Sequence, residues 1–158
     1  MAQVYEENGR CEAAEVAALC LANLYNSGGH RKITPDEYET IKKYLQKFPE
    51  SMHIRAAFII ASEAIYSPSA EYKRVPDKII NKAKQWSEQY PKKIEFQEAY
   101  FGLLFSRLKY AQAQDMRNEQ RRVYREMKTV AERANYSEYN ESNQLMESVD
   151  ILHRVFGY

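Results

Sequence analysis

Arg117, Arg121, Arg125 and Lys128 recur at spacings of four, four and three. On a helix those positions stack along one face. Like charges so placed repel by roughly a few tenths of a kcal/mol per pair, so the helix gives up a little stability to hold them. A stripe of this kind can dock an acidic protein or a phosphate backbone. The plainer reading is a solvated face tempered by its neighbours Glu119, Arg122, Glu126 and Glu132. No other spacing suggests chemistry. His30, His53 and His153 are far apart and have no metal-ligand spacing. Cys11 and Cys20 are nine residues apart in one predicted helix, which puts them on opposite faces, where they cannot bridge. There is no glycine-rich phosphate loop, nucleophile elbow or Cys/His pair. The carboxylates are numerous, as on any helical surface, and read as partners of Lys and Arg. The expectation is a protein that is not an enzyme and uses no cofactor or metal.

Composition narrows the classes further. The chain has 158 residues, with 23 Lys and Arg against 22 Asp and Glu, so its net charge of +1 gives no global pull towards nucleic acid or membrane. A chain of this length can build a core without staples. Two unpaired cysteines and a start (MAQVYEENGR) without the basic and apolar parts of a signal peptide suggest a reducing, cytoplasmic setting. The longest apolar run, residues 56–66, is broken by Ser62 and Glu63 and is too short to span a bilayer. Thirteen tyrosines read mainly as amphipathic filler between helices, and more sharply as a sticky partner surface.

The elements that would carry these residues are helical throughout. Residues 1–8 read as the tail of a helix, Asn8-Gly9 as a break, and residues 11–26 as a helix ended by Ser27-Gly28-Gly29. Thr34-Pro35-Asp36-Glu37 is a capping box with proline in the first turn. Tyr38, Ile41, Tyr44, Leu45 and Phe48 follow as an apolar stripe, and Pro49 stops it. Residues 51–66 form the next helix, broken by Ser67-Pro68-Ser69, with a polar connector over 70–75. Ile79, Ile80, Ala83, Trp86 and Tyr90 line a helix that Pro91 ends. The helix after it, from Ile94 through Leu108 and on to Ala113, is apolar on nearly every side near its middle, as in a helix sandwiched between neighbours. Met116, Val123, Met127, Val130 and Ala134 stripe a more polar helix, residues 135–139 turn, and Leu145, Val149, Leu152 and Phe156 face the last helix, which ends at Gly157. The total is about seven helices.

Pro49 and Pro91 lie forty-two residues apart, each after an aromatic residue. Tyr44 pairs with Trp86 at the same offset, Ile54 with Phe96, Phe58 with Tyr100, and Ile59 with Phe101. A period in this range signals arrays of helical hairpins. On these residues, and on Phe101-Gly102-Leu103-Leu104-Phe105 with its Gly then aromatic three residues on, the chain resembles the tetratricopeptide-repeat (TPR) superfamily. The match covers most of the chain in architecture but one repeat in motif. Trp86 stands at the family's small position, Ile60 where Gly would fall and Glu63 where the aromatic would fall.

The resemblance implies an all-α, right-handed array of about three antiparallel hairpins, roughly 1–48, 51–90 and 94–135, with a capping helix over 140–157, in one domain spanning 1–158. It implies a non-catalytic scaffold that binds another protein or a peptide in a groove lined by the first helix of each hairpin. Taking the Gly102 motif as the guide puts residues 94–109 on the inner wall, and starting the count one helix earlier exchanges inner and outer helices. The matching wall positions are Ile54, Ala57, Phe58 and Ala61, then Phe96, Ala99, Tyr100 and Leu103. They are apolar, so the family's Lys and Asn carboxylate clamp does not carry over. Core packing is the plain reading of these positions, and Tyr100, Ser106 and Arg107 are the polar groups best placed near a groove ligand. The alternatives are a nucleic-acid-associated or regulatory domain acting through the Arg117–Lys128 stripe, a small-molecule-sensing helical domain, and association with further copies of the chain.

Overall fold

The computed structural model describes residues 2–26, 33–66, 73–138 and 143–158, and within the first helix it describes the side chains of residues 7 and 9–22. Among the described residues there are seven helices and no strand: α1 (Ala2–Asn26), α2 (Pro35–Lys47), α3 (Met52–Tyr66), α4 (Asp77–Gln89), α5 (Ile94–Ala113), α6 (Arg117–Ala134) and α7 (Gln144–Phe156). The stops expected at Ser27-Gly28-Gly29 and Ser67-Pro68-Ser69, residues 70–72 of the connector, His30 and Tyr139 lie outside the described residues. None of the described helices is long and apolar enough to cross a membrane. The chain divides into two compact units, Met1–Ile65 and Tyr66–Tyr158.

In the first unit α1 runs without interruption through Asn8-Gly9, where the sequence suggests a break. One interior glycine costs a helix about 1 kcal/mol, too little to stop a ladder whose hydrogen bonds continue on both sides. Ala14, Ala18 and Ala22 are buried at four-residue spacing, and α1 packs along α2. The α2 capping box forms as the sequence predicts. Thr34 N–H donates to Glu37 Oε2 at 2.8 Å, and Glu37 N–H donates to Thr34 Oγ1 at 3.2 Å. From α2 the Tyr38 ring stacks on Phe58 of α3 at 5.8 Å, and its hydroxyl meets Ser62 Oγ at 2.7 Å.

The second unit is built on α5. Phe96, Tyr100, Leu103, Leu104 and Leu108 are buried, as expected of a helix covered on several sides. It packs on α4 before it and α6 after it, and α7 packs on α6. The directions follow from the contacts. The start of α4 (Asp77) meets the far end of α5 (Arg107), which in turn meets the start of α6 (Glu119). So α4 and α6 run parallel to each other and antiparallel to α5. Further along, Lys84 reaches Glu126, and Arg133 reaches Ser87 and Glu88, so side chains of α4 and α6 meet directly. Met116, expected in the α6 stripe, instead precedes the helix as its N-cap residue and is exposed, while Tyr124 takes a buried place.

The 42-residue offset recurs in the backbone geometry. α2 starts at Pro35 and α4 at Asp77, and α3 starts at Met52 and α5 at Ile94, so both pairs are 42 residues apart. The turns match as well. Phe48 (φ −128°, ψ 65°) and Tyr90 (φ −118°, ψ 60°) close their helices with the same backbone bond, to Tyr44 and Trp86 carbonyls. Each turn is tied down by a buried polar side chain at the equivalent position of the following helix. Arg55 Nε donates to the Pro49 carbonyl at 2.7 Å, and Gln97 Nε2 donates to the Ser87 and Tyr90 carbonyls at 3.0 and 3.1 Å. Carbonyls at a helix end lack an intrahelical partner and are satisfied by such side chains.

Candidate functional site: a charged cleft between α4 and α6

Within the second unit, the face where α4 and α6 approach over α5 holds a cleft of about 460 Å³. Three lines of side chains at helical spacing form it. Asp77, Asn81 and Lys84 come from α4, Arg122 and Glu126 from α6, and Tyr100, Leu104 and Arg107 of α5 make the floor. Arg74, from the segment before α4, stands at one end.

Arg107 is the centre of the charge network. Only 3% of it is exposed, and a guanidinium cannot shed its charge to suit burial. It is neutralised instead by two carboxylates. Its Nη2 donates to Asp77 Oδ1, and its Nε faces Glu119 Oε1 at 3.6 Å, beyond hydrogen-bond distance. Arg74 Nη2 shares the same Asp77 carboxylate at 3.3 Å. Arg122 grips Glu119 with two bonds, at 2.9 Å from Nε and 2.7 Å from Nη2. Three guanidiniums are thus bridged by two carboxylates. The Arg107 bond, first among several contacts, holds the Asp77 carboxyl below its usual range. The bond to Arg122 does the same for Glu119. Arg107 Nε is a buried donor with no hydrogen-bond acceptor among the described residues. Such a group normally finds one.

The other end of the cleft is set by Tyr100. Its ring is buried and its hydroxyl donates to Glu126 Oε1 at 2.9 Å, while Lys84 Nζ stands 3.7 Å from the same oxygen. Burial, then the Glu126 charge, raises the Tyr100 phenol far above its ordinary range, so it stays a fixed donor.

Tyr100 and Arg107 therefore sit together on the floor of one cleft. Ser106 does not join them. It is buried and donates back to the Gly102 carbonyl of its own helix at 3.1 Å. The wall positions Ile54, Ala57, Phe58, Ala61, Phe96, Ala99 and Leu103 are all buried. The open surface of the cleft is polar and charged instead.

On α6, Arg117, Arg121, Arg125 and Lys128 are exposed. Arg117 meets Asp115 at 3.5 Å, and Arg125 Nε donates to the Arg121 carbonyl. No described carboxylate lies within ion-pair distance of Arg121, Arg125 or Lys128. Glu119 and Glu126, adjacent to the stripe in sequence, turn into the cleft instead of tempering it. In the sequence nothing singles out Asp77, Asn81, Lys84 or Arg74, and Glu119, Arg122 and Glu126 stand only as neighbours of the stripe. The available signal was spacing: 77/81/84, 100/104/107 and 119/122/126 each keep one helix face.

Among the described residues no cluster of His, Cys, Asp or Glu is arranged to hold a metal ion. Cys11 and Cys20 are free thiols. His53 and His153 are exposed. No protein-family model, no curated protein and no solved structure matches this chain.

Proposed function

We propose that this chain is a non-catalytic, TPR-like binding module that holds a peptide or a segment of a partner protein in the α4/α6 cleft. The observation that carries the reading is the cleft itself: about 460 Å³, open to solvent, with a buried arginine and a buried tyrosine on its floor. Convergent polar groups in a concave site fix a ligand's orientation, and here they suit a polar or charged ligand. The matched turns at Phe48 and Tyr90, 42 residues apart, support a repeat array of helical hairpins, in which such grooves are the customary binding surface. In this reading α4 and α6 form the walls and α5 the floor, so the wall helices are those on either side of the one that the Gly102 motif favours.

The test is capture from native lysate on the immobilised full chain, with nuclease added and the salt raised stepwise. The module reading expects a discrete protein that survives both treatments and is lost from Asn81→Trp, which fills the cleft from an exposed wall position. Tyr100 and Arg107 are unsuitable for this test, because removing a buried side chain unsettles the fold.

The exposed stripe supports a second reading. Arg121, Arg125 and Lys128 have no carboxylate partner among the described residues, and a phosphate backbone would neutralise them. In that case the retained material is nucleic acid, it leaves as salt rises, and Arg121→Glu with Arg125→Glu abolishes it while Asn81→Trp does not.

A further inference from the structure

The arginine end of the cleft has a composition that interhelical packing alone does not require. Arg74, Arg107 and Arg122 converge there on only two carboxylates, Asp77 and Glu119. Counting the whole cleft with Lys84 and Glu126, four cations face three carboxylates. Two helix N-termini add to the same end. α4 begins at Asp77 and α6 at Arg117, the two run parallel, and neither N-cap residue, Pro76 or Met116, caps its helix with a side chain. The partial positive charge of a helix start favours an anion. Finally, the buried Nε of Arg107 lacks an acceptor among the described residues.

Asp77 shows how an anion would sit. Its carboxylate bridges Arg74 and Arg107, yet its side chain is 62% exposed and lies in the first turn of α4. It can swing out to water where another anion takes its place on the buried Arg107. Glu119, 19% exposed and held by two bonds to Arg122, is the fixed member of the pair.

We propose that Arg74, Arg107 and Arg122 form an oxyanion subsite in which Asp77 pairs with Arg74 and Arg107 in the free chain as an internal stand-in, and that a phosphate group on the bound peptide displaces it. Phosphate fits better than a carboxylate because its three oxygens can be shared among three guanidiniums, Arg122 offering the N–H groups that Glu119 leaves free, whereas a carboxylate offers two. This assignment rests on the peptide-binding reading of the cleft but is tested apart from it.

The experiment titrates inorganic phosphate, and separately acetate, into the full chain while the arginine Nε–H resonances are followed by NMR. The expected result is a saturable shift of the Arg74, Arg107 and Arg122 signals with phosphate, and a weaker one with acetate. Asp77→Asn, which removes the stand-in, tightens phosphate binding. Arg122→Gln weakens it about fivefold, the size of one partly exposed charge contact, and Arg74→Gln serves as a second exposed variant if the first does not fold. Shifts that stay linear and spread equally over Arg117, Arg121 and Arg125 overturn the subsite. So does an Asp77→Asn variant that binds phosphate no better than the parent, and acetate binding as tight as phosphate overturns the choice of phosphate. A partner that maps to the cleft while phosphate fails removes this inference alone. Phosphate binding without a cleft partner removes the peptide reading alone.

Discussion

Glu63 shows how a single buried charge shapes pH dependence. It lies half-buried on α3, and burial raises its carboxyl above the ordinary value. A carboxyl with a raised folded pKa favours the fold fully when protonated, and that advantage is lost as pH rises through the folded value. Glu63→Gln is therefore expected to raise the melting temperature at pH 7 and to leave it unchanged at pH 4, as read by circular dichroism. Asp77 and Glu119 act in the opposite sense. Their folded values are depressed, so their contribution is present at neutral pH and fades as pH falls through the acid range. Gln97 is the polar counterpart. It is fully buried, bonds two carbonyls of the α4–α5 turn and accepts from Ser87 Oγ at 2.7 Å. Gln97→Ala removes the acceptor of the Ser87 hydroxyl and the donor to the Ser87 carbonyl, while the Tyr90 carbonyl keeps its bond from Lys93 N–H, and is expected to cost about 1–3 kcal/mol in urea unfolding; a loss below about 0.5 kcal/mol would show the turn does not depend on it.

At the scale of elements, the helices were legible because their signals are local. Thr34 and Glu37 encode a cap, Pro49 and Pro91 encode stops, and the apolar period of 79–90 or 145–156 needs no knowledge of neighbours. Asn8-Gly9 misled because a glycine signals a stop only where the ladder is already ending. A Cβ built on Gly9 meets nothing within 4 Å. Gly9→Ala is thus expected to stabilise α1 by about 0.5–1 kcal/mol, with helix content unchanged or slightly raised. A destabilising Gly9→Ala would mean that the helix does not run through this position. The cleft was not legible in the same way. Each of its lines, 77/81/84, 100/104/107 and 119/122/126, reads on its own as an ordinary wet or packed helix face. Only the parallel setting of α4 and α6 over α5 turns Glu119 and Glu126 inward to Arg107 and Tyr100. The stripe was found because it lies on a single helix.

Across the whole molecule, α6 takes part in two distinct charged surfaces. One is a cleft whose cations are bridged by Asp77, Glu119 and Glu126. The other is an open face whose Arg121, Arg125 and Lys128 have no described carboxylate partner. They predict different binding behaviour, since bridged cations in a concave site give specificity and exposed ones give salt-sensitive attraction. The most direct measurement is the affinity of the captured partner, by isothermal titration calorimetry, for the parent chain, for Asn81→Trp and for the double variant Arg121→Glu, Arg125→Glu. The account predicts at least a tenfold loss in Asn81→Trp, about 1.4 kcal/mol, and little change in the double variant. An unchanged affinity in Asn81→Trp alongside loss in the double variant would contradict it.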